Sequence, residues 1–213
     1  MRTEELITLL ASGPVAVEAG AWQRRYALAL GGGLLGAGLL LILIMGVRTD
    51  LAWAAHQPLF WVKIAFPALL AAAAMVAVAR LARPGLRLGQ TGFALAAPVL
   101  VIWALGGIEL ASADPEAYAY LIWGKTWLYC PLRVALLSAP AFVALLWVLR
   151  ELAPTQLAHA GAAAGLLAGA VGATVYALYC PEMSAPFIGI WYVLGMLIPA
   201  ALGALLGPRL LRW

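Results

Sequence analysis

The chain has 213 residues, of which 65% are hydrophobic and only 10% are charged. Soluble domains carry about 25% charged residues, so this composition excludes an ordinary soluble domain and indicates a membrane protein. The formal net charge of +4 does not indicate nucleic-acid binding, because the arginines are spread in ones, twos and threes between apolar stretches.

Residues 1–24 form a predicted N-terminal segment that precedes the first apolar stretch. Its sequence RTEELITLLA predicts a short amphipathic helix, which Gly13 and Pro14 would end. Such a helix is too short to be stable alone in water, so it would fold against a partner groove or lie frayed beside a membrane. Its acidic start disfavours anionic lipid and makes a protein partner the preferred interpretation. The candidate contact residues are Glu4, Glu5, Leu6, Leu9 and Leu10.

Residues 25–213 contain six apolar stretches, each long enough to cross a hydrocarbon core about 30 Å thick. No cleavable signal peptide is expected, because the first stretch is too long and lacks a small-x-small cleavage pattern. The chain is therefore predicted to be an all-α, polytopic integral membrane protein with six transmembrane helices. The predicted spans are 26–47, 59–79, 91–108, 131–149, 158–178 and 186–206.

The basic residues predict the orientation of these spans. Six spans put both termini on one side, and nine of the thirteen Lys and Arg residues fall on that side. Because cytoplasmic loops carry the excess of positive charge, both termini are predicted to be cytoplasmic. Small-residue ridges in the fifth span (Gly161, Gly165, Gly169) and the first (Gly32, Gly36) predict close helix contacts, preferably within one chain.

The tetrapeptide LYCP occurs at positions 128–131 and 178–181, and it contains the only two cysteines of the chain. The first copy leads into the fourth span and the second ends the fifth, so Cys130 and Cys180 are expected at the same outer end of two antiparallel neighbours. Pro131 fits the first turn of a helix, which places Cys130 near the N-cap, where the helix dipole favours a thiolate. Cys130 is therefore predicted to be the more reactive thiol and Cys180 its resolving partner.

Other interpretations of the cysteines remain open at this point. They could be small buried apolar residues, a permanent disulfide in an oxidising compartment, or a disulfide that switches. No CxxC or HxxxH spacing indicates a metal site, and no cofactor motif is present. Lys63 near the outer end of the second span could extend towards the interface or pair with Glu109. The spans hold no converging polar groups, so the chain is not expected to be an enzyme.

Several short motifs occur in a distinctive order along the whole chain. They are EELITLLA, GVRTDL, FWVK, LARPG, the two Cys-Pro pairs, and the C-terminal IGIWYVLGMLIPAALGALLGPRLLRW. In this order they resemble the negative regulator of sigma F family, bacterial inner-membrane anti-sigma factors with six predicted spans.

The resemblance implies a function and a set of partners. Such a protein holds an extracytoplasmic-function sigma factor inactive at the inner membrane and releases it under oxidant or heavy-metal stress. The two outer cysteines that matter for this response match Cys130 and Cys180. The expected partners are the sigma factor and the lipid bilayer, with no direct nucleic-acid contact and no cofactor. A small transporter or a membrane assembly subunit remains the alternative.

Overall fold

The computed structural model describes residues 3–12, 21–83 and 89–212, and this part of the chain is helical without strands. Short connections join the helices, as the apolar runs separated by polar and glycine-containing segments predict. The helices are α1 Thr3–Ser12, α2 Ala21–Leu40, α3 Leu51–Ala54, α4 Pro58–Leu81, α5 Thr91–Ser112, α6 Tyr118–Trp123, α7 Cys130–Glu151, α8 Leu157–Tyr176, α9 Ala185–Phe187 and α10 Val193–Leu210.

Six of the described helical segments are long and apolar enough to cross a membrane. Two of them contain a wider π-helical stretch: α2 continues through Leu41–Met45, and α9 joins α10 through Ile188–Tyr192. The six predicted spans are confirmed as helices, and their ends differ from the prediction by only a few residues. Long apolar runs favour helix because the backbone then satisfies its own hydrogen bonds.

Helix α8 lies at the centre of the bundle and packs against α2, α4, α7 and α10. Its glycines allow this: a Cβ placed on Gly161 would collide with the carbonyl oxygen of Gly203, and one on Gly165 with the backbone of Pro199. The small-residue ridge of this helix therefore packs within the chain, as predicted. Helix α5 is peripheral and lies mainly against α4 and α9.

The contact between α2 and α7 corrects the other glycine prediction. A Cβ on Gly33 would lie 2.6 Å from the Cα of Ala141, and one on Gly36 would lie 2.8 Å from the Cβ of Pro140. Gly32 faces open space instead. The ridge therefore uses Gly33 and Gly36, because Gly32 is rotated about 100° away from Gly33 around the helix axis.

The connections lie at two opposite ends of the bundle. We call one the cysteine end (residues 46–57, 113–129 and 177–184) and the other the arginine end (residues 82–83, 89–90 and 152–156). At the arginine end, Arg25 of α2 forms an ion pair with Glu151 of α7. The guanidinium of Arg83 lies 5.5 Å from the ring centre of Trp22. These contacts connect the start of α2 to both α7 and α4.

Candidate functional site

The structure brings the two cysteines together at the cysteine end. Cys130 is the first residue of α7, one position inside its predicted place at the N-cap, and Cys180 follows the end of α8. Both belong to the same buried cluster, and their thiols are close enough to influence each other electrostatically. The short turn between antiparallel α7 and α8 produces this proximity across fifty residues of sequence.

Both thiols are free and completely shielded from solvent. A disulfide, one of the sequence-based expectations, is therefore not formed between them in this structure. Because only an accessible thiolate reacts readily, an oxidant or a metal ion reaches these sulfurs only when the surrounding segments open. Burial is the same for both residues, so the predicted order of reactivity, Cys130 before Cys180, stays a prediction.

Lys63 of α4 corrects the expectation that it reaches the interface or pairs with Glu109. Its side chain is fully buried, and its ammonium donates hydrogen bonds to the carbonyl oxygens of Cys180 at 2.5 Å and Glu182 at 2.7 Å. These carbonyls follow the end of α8, where no helical N–H is available to them. Glu109 instead accepts a hydrogen bond from the backbone N–H of Ala185, at 2.8 Å.

Arg48 provides a second cation near Cys180. It donates to the Cys180 carbonyl oxygen from Nη1 at 3.3 Å and binds Asp50 in bidentate fashion, from Nε at 2.7 Å and from Nη2 at 2.6 Å. The hydrogen bonds to Asp50 raise the pKa of the Arg48 guanidinium, and the same bonds lower the pKa of the Asp50 carboxyl. Arg48 therefore has its own counterion, whereas no carboxylate among the described residues forms an ion pair with Lys63.

The Glu182 side chain fastens the segment after Cys180 to the connection between α6 and α7. Its Oε1 accepts the backbone N–H of Lys125 at 2.7 Å. The adjacent Gly124 has a φ of +55°, and a Cβ there would lie 2.8 Å from the carboxyl carbon of Glu182. Glycine is thus required twice at position 124, once for its backbone conformation and once for the space that the carboxylate occupies.

Two tyrosines complete the surroundings of the thiols, and sequence reasoning did not single them out. Tyr176 and Tyr192 are fully buried, with ring centres 5.6 Å apart. The Tyr176 hydroxyl lies near Cys130 and the Tyr192 hydroxyl near Cys180. Neither hydroxyl makes a hydrogen bond of ordinary geometry with a described residue. Buried hydroxyls usually find a partner, and the two thiols are polar groups beside these hydroxyls that can serve as one.

Three tryptophans cover the cysteine end next to this cluster. The rings of Trp123, Trp127 and Trp191 contact one another, with centres 4.9 to 5.4 Å apart. Trp191 also donates from Nε1 to the carbonyl oxygen of Ile122, at 2.8 Å. The aromatic contacts hold α6 against the π-helical stretch before α10.

The N-terminal candidates lie on a helix, as predicted. Helix α1 contains Leu6, Leu9 and Leu10, and its first turn presents Glu4 and Glu5 at the surface. Gly13 and Pro14, the expected stop signals, lie outside the described residues, and the helix ends at Ser12. Contact of these residues with a partner stays a prediction. The described parts of the chain contain no group of three or more His, Cys, Asp or Glu side chains placed to hold a metal ion.

Comparison with known proteins gives a consistent result. The model of the family described as negative regulator of sigma F matches residues 10–213. The chain is 53% identical over 213 residues to a protein of Azospira oryzae named probable anti-sigma-F factor NrsF. It is 40% identical over 215 residues to the anti-sigma-F factor NrsF of Caulobacter vibrioides. Both alignments cover the whole of each chain. No solved structure matches the chain.

Proposed function

Because the chain belongs to the negative regulator of sigma F family, we propose that it is an anti-sigma factor that sequesters an extracytoplasmic-function sigma factor at the membrane. The observation that carries this proposal is the full-length identity of 53% and 40% to proteins named as anti-sigma-F factors. The family resemblance inferred from the ordered motifs is confirmed. Both relatives are named as anti-sigma factors, and we propose the same role in transcription regulation for this chain.

The six apolar helices support placement in the bacterial inner membrane. In the sequence, nine of the thirteen Lys and Arg residues precede the first span, follow the sixth, or lie in the connections between spans two and three and between spans four and five. The arginine end therefore faces the cytoplasm by the positive-inside rule. Both termini are then cytoplasmic, and the cysteine end faces the periplasm. Fusion of reporter enzymes to the connections at each end tests this orientation.

The sigma factor binds at the cytoplasmic side through residues 1–24. Helix α1 offers a first turn with exposed Glu4 and Glu5, and helical spacing puts Leu6, Leu9 and Leu10 on one face. An amphipathic helix of this kind binds into an apolar groove of a partner. The acidic residues add charge complementarity to a basic, DNA-binding partner.

The two cysteines sense the stress that releases the sigma factor. When the cysteine end opens, a peroxide oxidises one thiolate to a sulfenic acid, and its O–O bond breaks to give hydroxide. The second thiol then forms an S–S bond with that sulfur, and the oxygen leaves as water. Heavy-metal ions would bind the same two sulfurs as thiolates. Either product changes the packing of α7 against the segment after α8, and these helices carry the change to the arginine end.

An affinity pull-down tests the role and the sensor separately. The full-length protein is isolated from gently solubilised membranes before and after brief oxidant exposure, and bound soluble proteins are identified by mass spectrometry. A sigma factor bound before exposure and depleted after it is the expected result. Equal binding in both samples would keep the anti-sigma role and exclude release by oxidant. Absence of a sigma factor, with the complex shown to survive detergent, would favour a transporter or an assembly subunit.

Matched variants test which residues sense the oxidant and which bind the sigma factor. Cys130→Ser and Cys180→Ser should each abolish release under oxidant without affecting sigma binding at rest. Leu9→Ser should weaken sigma binding, whereas Thr8→Ala should not, because Thr8 lies on the opposite face of α1 and its hydroxyl donates to the Glu4 carbonyl oxygen within that helix. Normal release by the double cysteine variant would exclude thiol sensing.

A further inference from the structure

Lys63 is a buried cation whose described partners are all uncharged. Its ammonium contacts two backbone carbonyl oxygens and lies 5.8 Å from the ring centre of Tyr192. Within the described ranges, no carboxylate pairs with it. Burying an ammonium is costly unless a negative charge compensates it, so its surroundings should contain a group that can become an anion.

The groups around the Lys63 ammonium narrow the choice of this anion. Glu182 uses its carboxylate to bind the loop N–H of Lys125, and Asp50 is bound by Arg48. The remaining titratable side chains near Lys63 are thiols and phenols. The charged and titratable groups that face it are Cys130, Cys180, Arg48, Glu182, Tyr176 and Tyr192. Among the thiols and phenols that remain, a thiol loses its proton most easily.

We propose that Lys63 is a positioning residue that stabilises the thiolate of Cys180 and so makes Cys180, rather than Cys130, the thiol that attacks the oxidant first. This inference rests on the proposed thiol sensing and reverses the order of reactivity that the helix dipole at Cys130 predicts. The ammonium is bonded to the backbone of Cys180 itself, and Arg48 contacts the same carbonyl. A full positive charge outweighs a helix terminus, which is equivalent to about half a charge.

The reaction follows from this assignment. The Cys180 sulfur attacks the peroxide, an S–O bond forms, the O–O bond breaks and hydroxide leaves. The Cys130 thiol then attacks the sulfenic sulfur; an S–S bond forms, and the departing hydroxide takes the Cys130 proton as water. The hydroxide from the first step takes up the proton that Cys180 lost when it became a thiolate, which gives a second water. Two thiols have then been oxidised to one disulfide, and one peroxide has been reduced to two waters. Once the disulfide forms, the Cys180 thiolate no longer exists to balance the charge of the Lys63 ammonium. The interaction of α4 with the segment that contains Cys180 therefore changes.

The test measures thiol chemistry in the purified full-length protein, without a sigma factor. Two single-cysteine proteins are used, Cys130→Ser and Cys180→Ser, each with the second change Lys63→Met, Lys63→Arg or Lys125→Met. Lys125 is the matched control, because it is an exposed lysine at the same end whose hydrogen bond to Glu182 comes from its backbone N–H, which the substitution keeps. The small reagent methyl methanethiosulfonate is applied from acidic to alkaline pH, and the rate of thiol modification is recorded.

The expected rates of thiol modification depend on whether residue 63 carries a positive charge. With Lys63 present, Cys180 should react faster than Cys130 at neutral pH. Lys63→Met should slow Cys180 by about tenfold, as expected for one unit of thiol acidity, and should move its pH profile to the alkaline side. Lys63→Arg and Lys125→Met should leave the profile in place, and Cys130 should change little.

Three results would overturn the inference. One is faster reaction of Cys130 when Lys63 is intact, which needs no Lys63 variant and is therefore independent of their folding. Another is an unchanged rate for Cys180 after Lys63→Met. The third is acceleration of both thiols at every pH without a shifted profile, because loosened packing alone would do this. Failure of the sigma pull-down would refute the proposed function and leave this thiol measurement intact.

Discussion

Replacing Gly165 with alanine adds one methyl group where the backbones of α8 and α10 are in close contact. The glycine faces α10 from the centre of α8, and a Cβ there would lie 2.6 Å from the carbonyl carbon of Pro199 and 2.8 Å from the Cα of Ala200. Backbone atoms cannot rotate away as a side chain can. The two helices must therefore separate at this point or the variant must unfold more easily.

The size of the effect follows from these distances. Carbon atoms in contact are normally about 3.5–4.0 Å apart, so the helices would move by about 1 Å. A gap of that size loses about a quarter to a half of the dispersion energy of the atoms that lined it. Overpacking in a tight core costs about 1–3 kcal/mol. We expect a loss of about 2 kcal/mol, which lowers the melting temperature of a chain of this length by about 4–8 °C.

The two buried cysteines supply the assay. A fluorogenic maleimide, which is bulkier than methyl methanethiosulfonate, reacts with Cys130 and Cys180 much faster once the bundle unfolds, because both are shielded in the folded state. Melting curves in mild detergent would compare Gly165→Ala with Gly107→Ala, whose new Cβ would meet no atom within 4 Å. Equal melting temperatures for these two variants would refute the reasoning that α8 and α10 are in backbone contact.

Three further changes act at the cysteine end. Glu109→Gln should lower stability by about 1 kcal/mol, because it replaces a charge-assisted hydrogen bond at the start of α9 with a neutral one; an unchanged melting curve would contradict this. Trp191→Phe should speed proteolysis of residues 113–129, since it removes the hydrogen bond to Ile122 while keeping an aromatic ring; wild-type cleavage rates would count against it. The bond to Arg48 holds the pKa of Asp50 below its ordinary value, so its stabilisation is complete above about pH 4 and is lost as the pH falls through the lower folded value. An acid titration of tryptophan fluorescence should show this small transition, and Asp50→Asn should remove it; persistence of the transition in that variant would assign it to another group.

The six long helices were predictable because they depend on local properties. An apolar run of about twenty residues specifies a helix whatever its neighbours are. The meeting of Cys130 and Cys180 was predictable for a similar reason, since a short turn between two helices places their far ends together. Both predictions needed only the lengths and the directions of segments that are consecutive in sequence.

The environment of the cysteines was not predictable because it depends on side-chain direction and on the path of irregular backbone. Lys63 binds carbonyls more than a hundred residues away, and their position depends on how the chain leaves α8. The choice of Gly33 over Gly32 depends on a helix rotation of one residue, about 100°, which the sequence pattern does not specify. The position of Tyr176 in the sequence could have indicated that it lies near the cysteines, because it precedes Cys180 by four residues, about one helical turn. In the structure, its backbone carbonyl oxygen accepts a hydrogen bond from the N–H of Cys180.

The central position of α8 has a consequence for biosynthesis. Among the six candidate spans it is the least hydrophobic and the most buried, since alanine and glycine replace the leucines of a lipid-facing helix. A translocon that partitions each segment by its apolarity would insert α8 poorly by itself, and the short turn to α7 allows the two to enter as a hairpin. Until α10 is synthesised, the glycine ridge of α8 (Gly161, Gly165 and Gly169) lacks the helix against which it packs in the folded chain. A chain interrupted before α10 would therefore present a small-residue surface suited to wrong helix partners, a state that membrane quality-control proteases can recognise.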